Sequence, residues 1–159
     1  MHHDHLTEIA HLYPIYARAC DEKRFDLLAR VFSPDATLHY VVGEHEFKCT
    51  GADAAASFKQ FLDRCYWTNH VIAAPMVEAV AGGARATARV VATHLQRLPE
   101  GTLTRWLVRG SYHDVLVHSA AGWRIAQRFC FCGDADGEFR AEGVEIYPTV
   151  AWATADQLG

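Results

Sequence analysis

From Leu6 onward the apolar positions fall at Ile9, Leu12, Tyr13, Tyr16, Ala17 and Cys20, spacings of three and four that set one face of a helix against a core. Pro14 stands inside that run, and because a proline bends or splits a helix, the firm part is expected after His11. The polar stretch Asp21-Glu22-Lys23-Arg24 leads to Phe25, Leu27, Leu28, Val31 and Phe32, a second short amphipathic helix that Ser33-Pro34-Asp35 stops. Alternation from Ala36 to Val42, closed by Gly43, predicts a strand, and Glu46 to Cys49 predicts a small partner for it. A third helix is expected from about Ala52 to Tyr66, with Ala55, Phe58, Phe61, Leu62 and Cys65 along one side.

After Tyr66 the period changes from helical to alternating. Residues 69–80, 84–98, 102–118 and 122–132 are long β-rich segments separated by Gly82-Gly83, Pro99-Glu100-Gly101 and Ala120-Ala121-Gly122, all turn chemistry. Consecutive strands joined by short turns predict an antiparallel meander. The fold class that follows is α+β, with three helices from the N-terminal half lying across a long antiparallel sheet. Strands of this length must bend, and a bent sheet with helices over its mouth makes a cone with a pocket inside. Residues 1–159 read as one domain, with 1–5 a mobile tail and 133–159 a C-terminal extension. In that extension Val144, Ile146, Tyr147, Val150 and Trp152 are expected to cover a sheet edge or a neighbouring subunit.

Composition narrows the function. A formal net charge of −4 and a pI near 6.2 give no general attraction to phosphate backbones, so no nucleic-acid partner is expected. No apolar run reaches the roughly 20 residues of a membrane span, and the start Met-His-His-Asp-His lacks the order of a signal peptide, which predicts a cytoplasmic protein off the membrane. The five cysteines have no framework-like spacing and read as reduced thiols. Cys130 and Cys132 face the same way on a strand, but no second pair completes a zinc set, and no metal is expected. Histidine is in surplus at 10 residues; His2, His3 and His5 fall in the tail, and His11, His39, His45, His113 and His118 carry no special claim.

Strand parity sorts the remaining candidates. In the strand from Ala84 one face carries Ala84, Ala86, Ala88, Val90, Ala92 and then His94, small groups that leave room with a polar one at their end. The next strand sets Trp106, Val108, Gly110, Tyr112 and Asp114 on one side. A half-buried aspartate beside tyrosine and tryptophan needs a partner, so Asp114 is either a hydrogen-bonded structural group or a site residue. His70 opens the first long strand, where a lone histidine is more often structural than catalytic.

The runs Tyr16-Ala-Arg-Ala-Cys-Asp21, Val31-Phe32-Ser-Pro-Asp35-Ala-Thr-Leu-His-Tyr40, Asn69-His70 and Gly122-Trp123-Arg124-Ile125 resemble SnoaL-like domains of the nuclear-transport-factor-2-like superfamily. The likeness covers nearly the whole chain and is greatest to the branch that holds scytalone dehydratase, bile acid 7α-dehydratase and hexachlorocyclohexane dehydrochlorinase. It implies a cone of curved sheet and three helices, in agreement with the layout above. It implies a catalytic pair, an aspartate after the first helix and a histidine opening the strand after the third, which fall on Asp21 and His70. Scytalone dehydratase motif positions fall on Tyr40 and His94, and the position of its first tyrosine is Cys20 here. A tyrosine five residues before the aspartate, as in the bile acid enzyme, is Tyr16. Asp114 and Arg128 match the asparagine and arginine of these enzymes only in region.

The resemblance therefore implies a cofactor-independent lyase of the dehydratase type. In it His70, oriented by Asp21, abstracts a proton beside the carbonyl of a hydrophobic cyclic or polyketide-like small molecule. Tyr40, Tyr16 and His94 would hydrogen-bond the carbonyl or enolate oxygen, with Asp114, Trp106 and Tyr112 also at the substrate. Tyr16 and Tyr40 read equally well as core aromatics with a tied hydroxyl. Isomerases, polyketide cyclases and non-catalytic binding or assembly domains share the superfamily and stand as alternatives. A homo-oligomer, dimer or trimer, is implied as well.

Overall fold

The computed structural model describes residues 3–143. The expected C-terminal cover, Val144, Ile146, Tyr147, Val150 and Trp152, lies outside the described residues, as do Met1 and His2.

Helix α1 spans His3–Asp21 and runs unbroken through Pro14. Pro14 is exposed, so the carbonyl that loses its partner one turn back faces water, and the kink expected to delay the helix does not split it. Ile9, Leu12, Tyr13, Tyr16, Ala19 and Cys20 are buried, the three-and-four face the periodicity predicts. Residues 3–5 of the expected tail belong to the first turn of this helix instead: Trp123 donates its indole N–H to His5 Nδ1 at 3.0 Å, and the rings of His5 and His118 meet edge to face. The second helix is a single 3-10 stretch, Phe25–Arg30, and α2 is Ala54–Leu62, shorter at both ends than its pattern.

Strands β1 (Phe32–Val42), β2 (His45–Thr50), β3 (Trp67–Ile72), β4 (Met76–Val80), β5 (Gly83–Arg97), β6 (Leu103–Ser119) and β7 (Gly122–Gly137) form a seven-stranded sheet. Its order is β2-β1-β7-β6-β5-β3, with β4 also on β5. Every pairing is antiparallel except β1 on β7, which is parallel and makes the sheet mixed. The expected single strand over 69–80 is two, because Ala73-Ala74-Pro75 interrupts the ladder at a residue without an N–H. Both halves pair with β5, β3 through Trp67 to Ile72 and β4 through Met76 to Val80.

Register shifts between Arg109 and Ser111 and between Val115 and Leu116 bend β6 against β7 and curl the sheet. Strand β7 also runs past Cys132 to Gly137, where Asp134 meets Arg109 at 2.8 Å and Asp136 meets Arg105 at 2.9 Å across the ladder. Such exposed pairs add little stability, but they explain why a polar stretch continues the strand. Helix α1 packs on the concave side, on β3 and β7, so the core and the cavity lie between helices and sheet.

Candidate active site

Asp21 is the last residue of α1, and His70 sits in β3, which packs against that helix. His70 Nδ1 lies 2.7 Å from Asp21 Oδ1, the His70 backbone N–H donates to Oδ2 at 2.8 Å, and the Thr68 hydroxyl donates to Oδ1 at 3.1 Å. A carboxylate accepts only, so Nδ1 carries the hydrogen and the lone pair is left on Nε2. The His70 side chain is 7% exposed and lines a cavity.

That cavity measures about 630 Å³ including its opening to solvent. Its walls are mostly apolar: Phe58, Phe61 and Leu62 from α2, Val90 and Ala92 from β5, and Val108 from β6. His45, Phe47 and Phe61 line both the cavity and the surface groove over 44–48 and 57–64, so its mouth opens between β2 and α2. Phe139 stacks on Phe61 with ring centres 4.1 Å apart, and Gln96 fastens the segment behind it by two bonds to the Arg140 backbone at 2.8 and 2.7 Å. The stretch just after β7 thus folds back against Phe61 at the open end of the cavity.

Of the expected substrate contacts, Tyr16, Tyr40, His94, Trp106 and Tyr112 line the cavity. Tyr40 donates its hydroxyl to that of Tyr16 at 3.3 Å, and the Tyr16 hydroxyl in turn hydrogen-bonds the Cys20 thiol. The Tyr16 ring stands edge-on to His70 with centres 6.0 Å apart. Burial pushes both phenols well above their ordinary value, so they act as neutral donors. His94 meets the Trp106 carbonyl oxygen through Nδ1 at 3.4 Å, and a carbonyl can only accept. Burial first, and the neighbouring His70 second, push His94 down to about 3. It is a neutral ring whose Nε2 accepts, and the expected donor to an enolate oxygen is therefore an acceptor for a hydroxyl.

Asp114 does not line the cavity. Arg128 holds it through Nε to Oδ1 at 2.8 Å and Nη2 to Oδ2 at 2.7 Å, and Tyr13 donates to Oδ2 at 2.8 Å. Both charged side chains are fully buried. The need for a partner is met inside the core, and the pair braces α1 on the sheet instead of touching a ligand. The Arg128 guanidinium lies 4.6 Å from the Tyr16 ring centre and 4.1 Å from that of Tyr112, placing its charge behind the cavity wall.

His45, given no role by its sequence context, is at the mouth, 5.6 Å from the Trp106 ring. Nothing local marks it; the β1–β2 turn alone brings it there. Phe58 and Phe61 were readable from the α2 face and Val90 and Ala92 from the parity of β5.

The family model described as "SnoaL-like domain" matches residues 3–129. A search of the curated proteins returns no match. Among solved structures, the Kfla4162 protein of Kribbella flavida is 27% identical at a TM-score of 0.74, over 84% of this chain and 93% of its own. A candidate scytalone dehydratase from Novosphingobium aromaticivorans DSM 12444 is 19% identical at 0.69, over 93% and 94%. Hexachlorocyclohexane dehydrochlorinase LinA-type3 from Novosphingobium barchaimii LL02 is 17% identical at 0.64, over 80% and 85%. At these identities the latter two establish the fold alone. With the match spanning all of the chain from α1 into β7, this protein belongs to the SnoaL-like domain family.

Proposed function

We propose that the protein is a cofactor-independent lyase of the dehydratase type, acting on a hydrophobic cyclic or polyketide-like carbonyl compound. The observation that carries this reading is the His70–Asp21 contact of 2.7 Å in the wall of an apolar cavity. Asp21 fixes the tautomer and stabilises the imidazolium as it forms. Nε2 of His70 takes the proton from the carbon beside the carbonyl, and the electron pair moves onto the carbonyl oxygen. The Tyr16 hydroxyl, backed by Tyr40, turns from the weakly accepting Cys20 thiol to donate to that oxygen where charge develops. The enolate then re-forms its carbonyl as the β-hydroxyl leaves, and the imidazolium returns the proton to it as water departs. His94, a neutral acceptor, suits the substrate hydroxyl before it leaves.

The test is a panel of cyclic β-hydroxy ketones, followed by the ultraviolet absorbance of the conjugated product and by loss of water in its mass. Wild-type protein yields the conjugated ketone and His70→Ala does not; equal rates for the two would remove the dyad from the chemistry. An isomerase acting through the same base would instead shift a double bond with no loss of water.

A homo-oligomer belongs to this reading too. Its support is an outer sheet face on which the rings of Phe129, 40% exposed, and Phe131, 49% exposed, stack on each other. No helix among the described residues is long and apolar enough to cross a membrane.

A further inference from the structure

Two cysteines that the elimination does not use stand in the wall of the same cavity. Along β7, Cys130 and Cys132 alternate with Phe129 and Phe131, so both thiols point inward while the phenyl rings take the outer face. The sulfurs lie 3.8 Å apart, both side chains line the cavity, and both cysteines are free. Cys130 pairs across the ladder with the buried Tyr112 and Tyr40. Cys132 is opposite Val42, itself opposite His45 at the mouth. The fold makes room for this second thiol: a Cβ on Gly110 would stand 2.6 Å from Cys132 Sγ and 2.1 Å from the Phe131 carbonyl oxygen.

A metal does not fit the pair. Among the described residues the side chains grouped closely enough to hold an ion are His5, Glu8 and His118, and neither thiol belongs to that group. A disulfide would require the sulfurs to close to about 2.05 Å between residues two apart on a strand bonded on both sides.

We propose that Cys132 is a covalent modification site for α,β-unsaturated carbonyl compounds that enter the cavity, an inference resting on the dehydratase reading, whose product belongs to that class. The β-carbon of such a compound is a soft electrophile. The sulfur forms a bond to it, the double-bond electron pair moves through the α-carbon onto the carbonyl oxygen, and the proton lost by the thiol ends on the α-carbon. Atoms balance without oxidant or reductant. The Tyr16 hydroxyl, backed by Tyr40, meets the same enolate oxygen here as in elimination. The hydrogen bond between the two thiols lowers Cys132 from its ordinary value, favouring the nucleophilic form, and pushes Cys130 up. The enzyme is thereby open to capture by its own class of product.

The experiment treats the full-length protein with 2-cyclohexen-1-one and reads intact mass and the modified peptide. The expected result is one adduct per chain on Cys132, slowed by saturating cyclohexanone and absent from Cys132→Ala. Cys49, half-buried outside the cavity lining, serves as the internal comparison. Adduct on Cys49 or Cys130 in its place, labelling indifferent to cyclohexanone, or no adduct on folded protein would each overturn the proposal. Peptide mapping of the wild type decides the site even if the alanine variant fails to fold. Because labelling is read by mass and not by turnover, a protein that eliminates water but takes no adduct refutes this inference alone. A protein that is labelled at Cys132 but eliminates nothing refutes the dehydratase reading alone.

Discussion

Asp21 holds His70 at two points, accepting from the ring Nδ1 at 2.7 Å and from the backbone N–H at 2.8 Å. Ring and strand are thus fixed to the end of the same helix, and rotation of the imidazole would have to break a contact that the backbone bond keeps in place.

Asp21→Asn is the direct test of that hold. The amide keeps the shape but presents a donor where the ring needs an acceptor, so the wrong tautomer is favoured. We expect kcat to fall by about 10⁴-fold with little change in KM, the effect seen when a buried aspartate behind a catalytic histidine becomes asparagine. A melting temperature close to that of the wild type would show that the loss is chemical.

Tyr16→Phe removes the hydroxyl that Tyr40 donates to. Loss of one donor to a developing oxyanion costs about 10²- to 10³-fold in kcat. Steady-state kinetics on a β-hydroxy ketone would show this as a fall in kcat with KM nearly constant; an unchanged kcat would leave Tyr16 a core aromatic.

The buried Asp114–Arg128 pair bears on stability. Arg128→Met strands a carboxylate with 0% exposure and should cost about 3 to 5 kcal/mol in urea unfolding. Joining it to Asp114→Leu removes the stranded charge and should recover much of the loss, and a double-mutant cycle would measure how much.

His94 makes stability depend on pH. An unfolded histidine titrates near about 6.5, whereas the folded ring is pushed down to about 3 by burial. The folded state binds the proton less readily, so its full advantage is present above about 6.5 and declines as pH falls from there toward about 3. Urea midpoints across that window should drop more steeply for the wild type than for His94→Gln; parallel curves would mean that the ring is protonated in place.

The outer face gives a prediction on assembly. Phe131→Asp puts a charge beside the exposed Phe129 ring, and light scattering should show a smaller species if this face joins copies of the chain.

Local order was legible in the sequence because its signals are local. The three-and-four spacing of Ile9, Leu12, Tyr13 and Tyr16 finds the face of α1, and alternation finds the inward face of β5 from Ala84 to His94, since a helix or strand that buries one side must repeat at its own period. Resemblance to a family brought Asp21 and His70 forward, and the chain brings them together. What pairs with what at long range was beyond it. Counted unbroken from the Gly122 turn, Asp114 would face Gln127; a single-residue shift between Val115 and Leu116 sets Arg128 there and turns a candidate ligand contact into a core ion pair. The parallel seating of β1 on β7, the acceptor role of His94 and the place of His45 at the mouth were likewise decided only by the folded chain. The sequence determines which face each residue shows its own element, because that depends on neighbours a few positions away. Tertiary structure alone decides partners, register and protonation, because these depend on groups that only folding brings within a few ångströms.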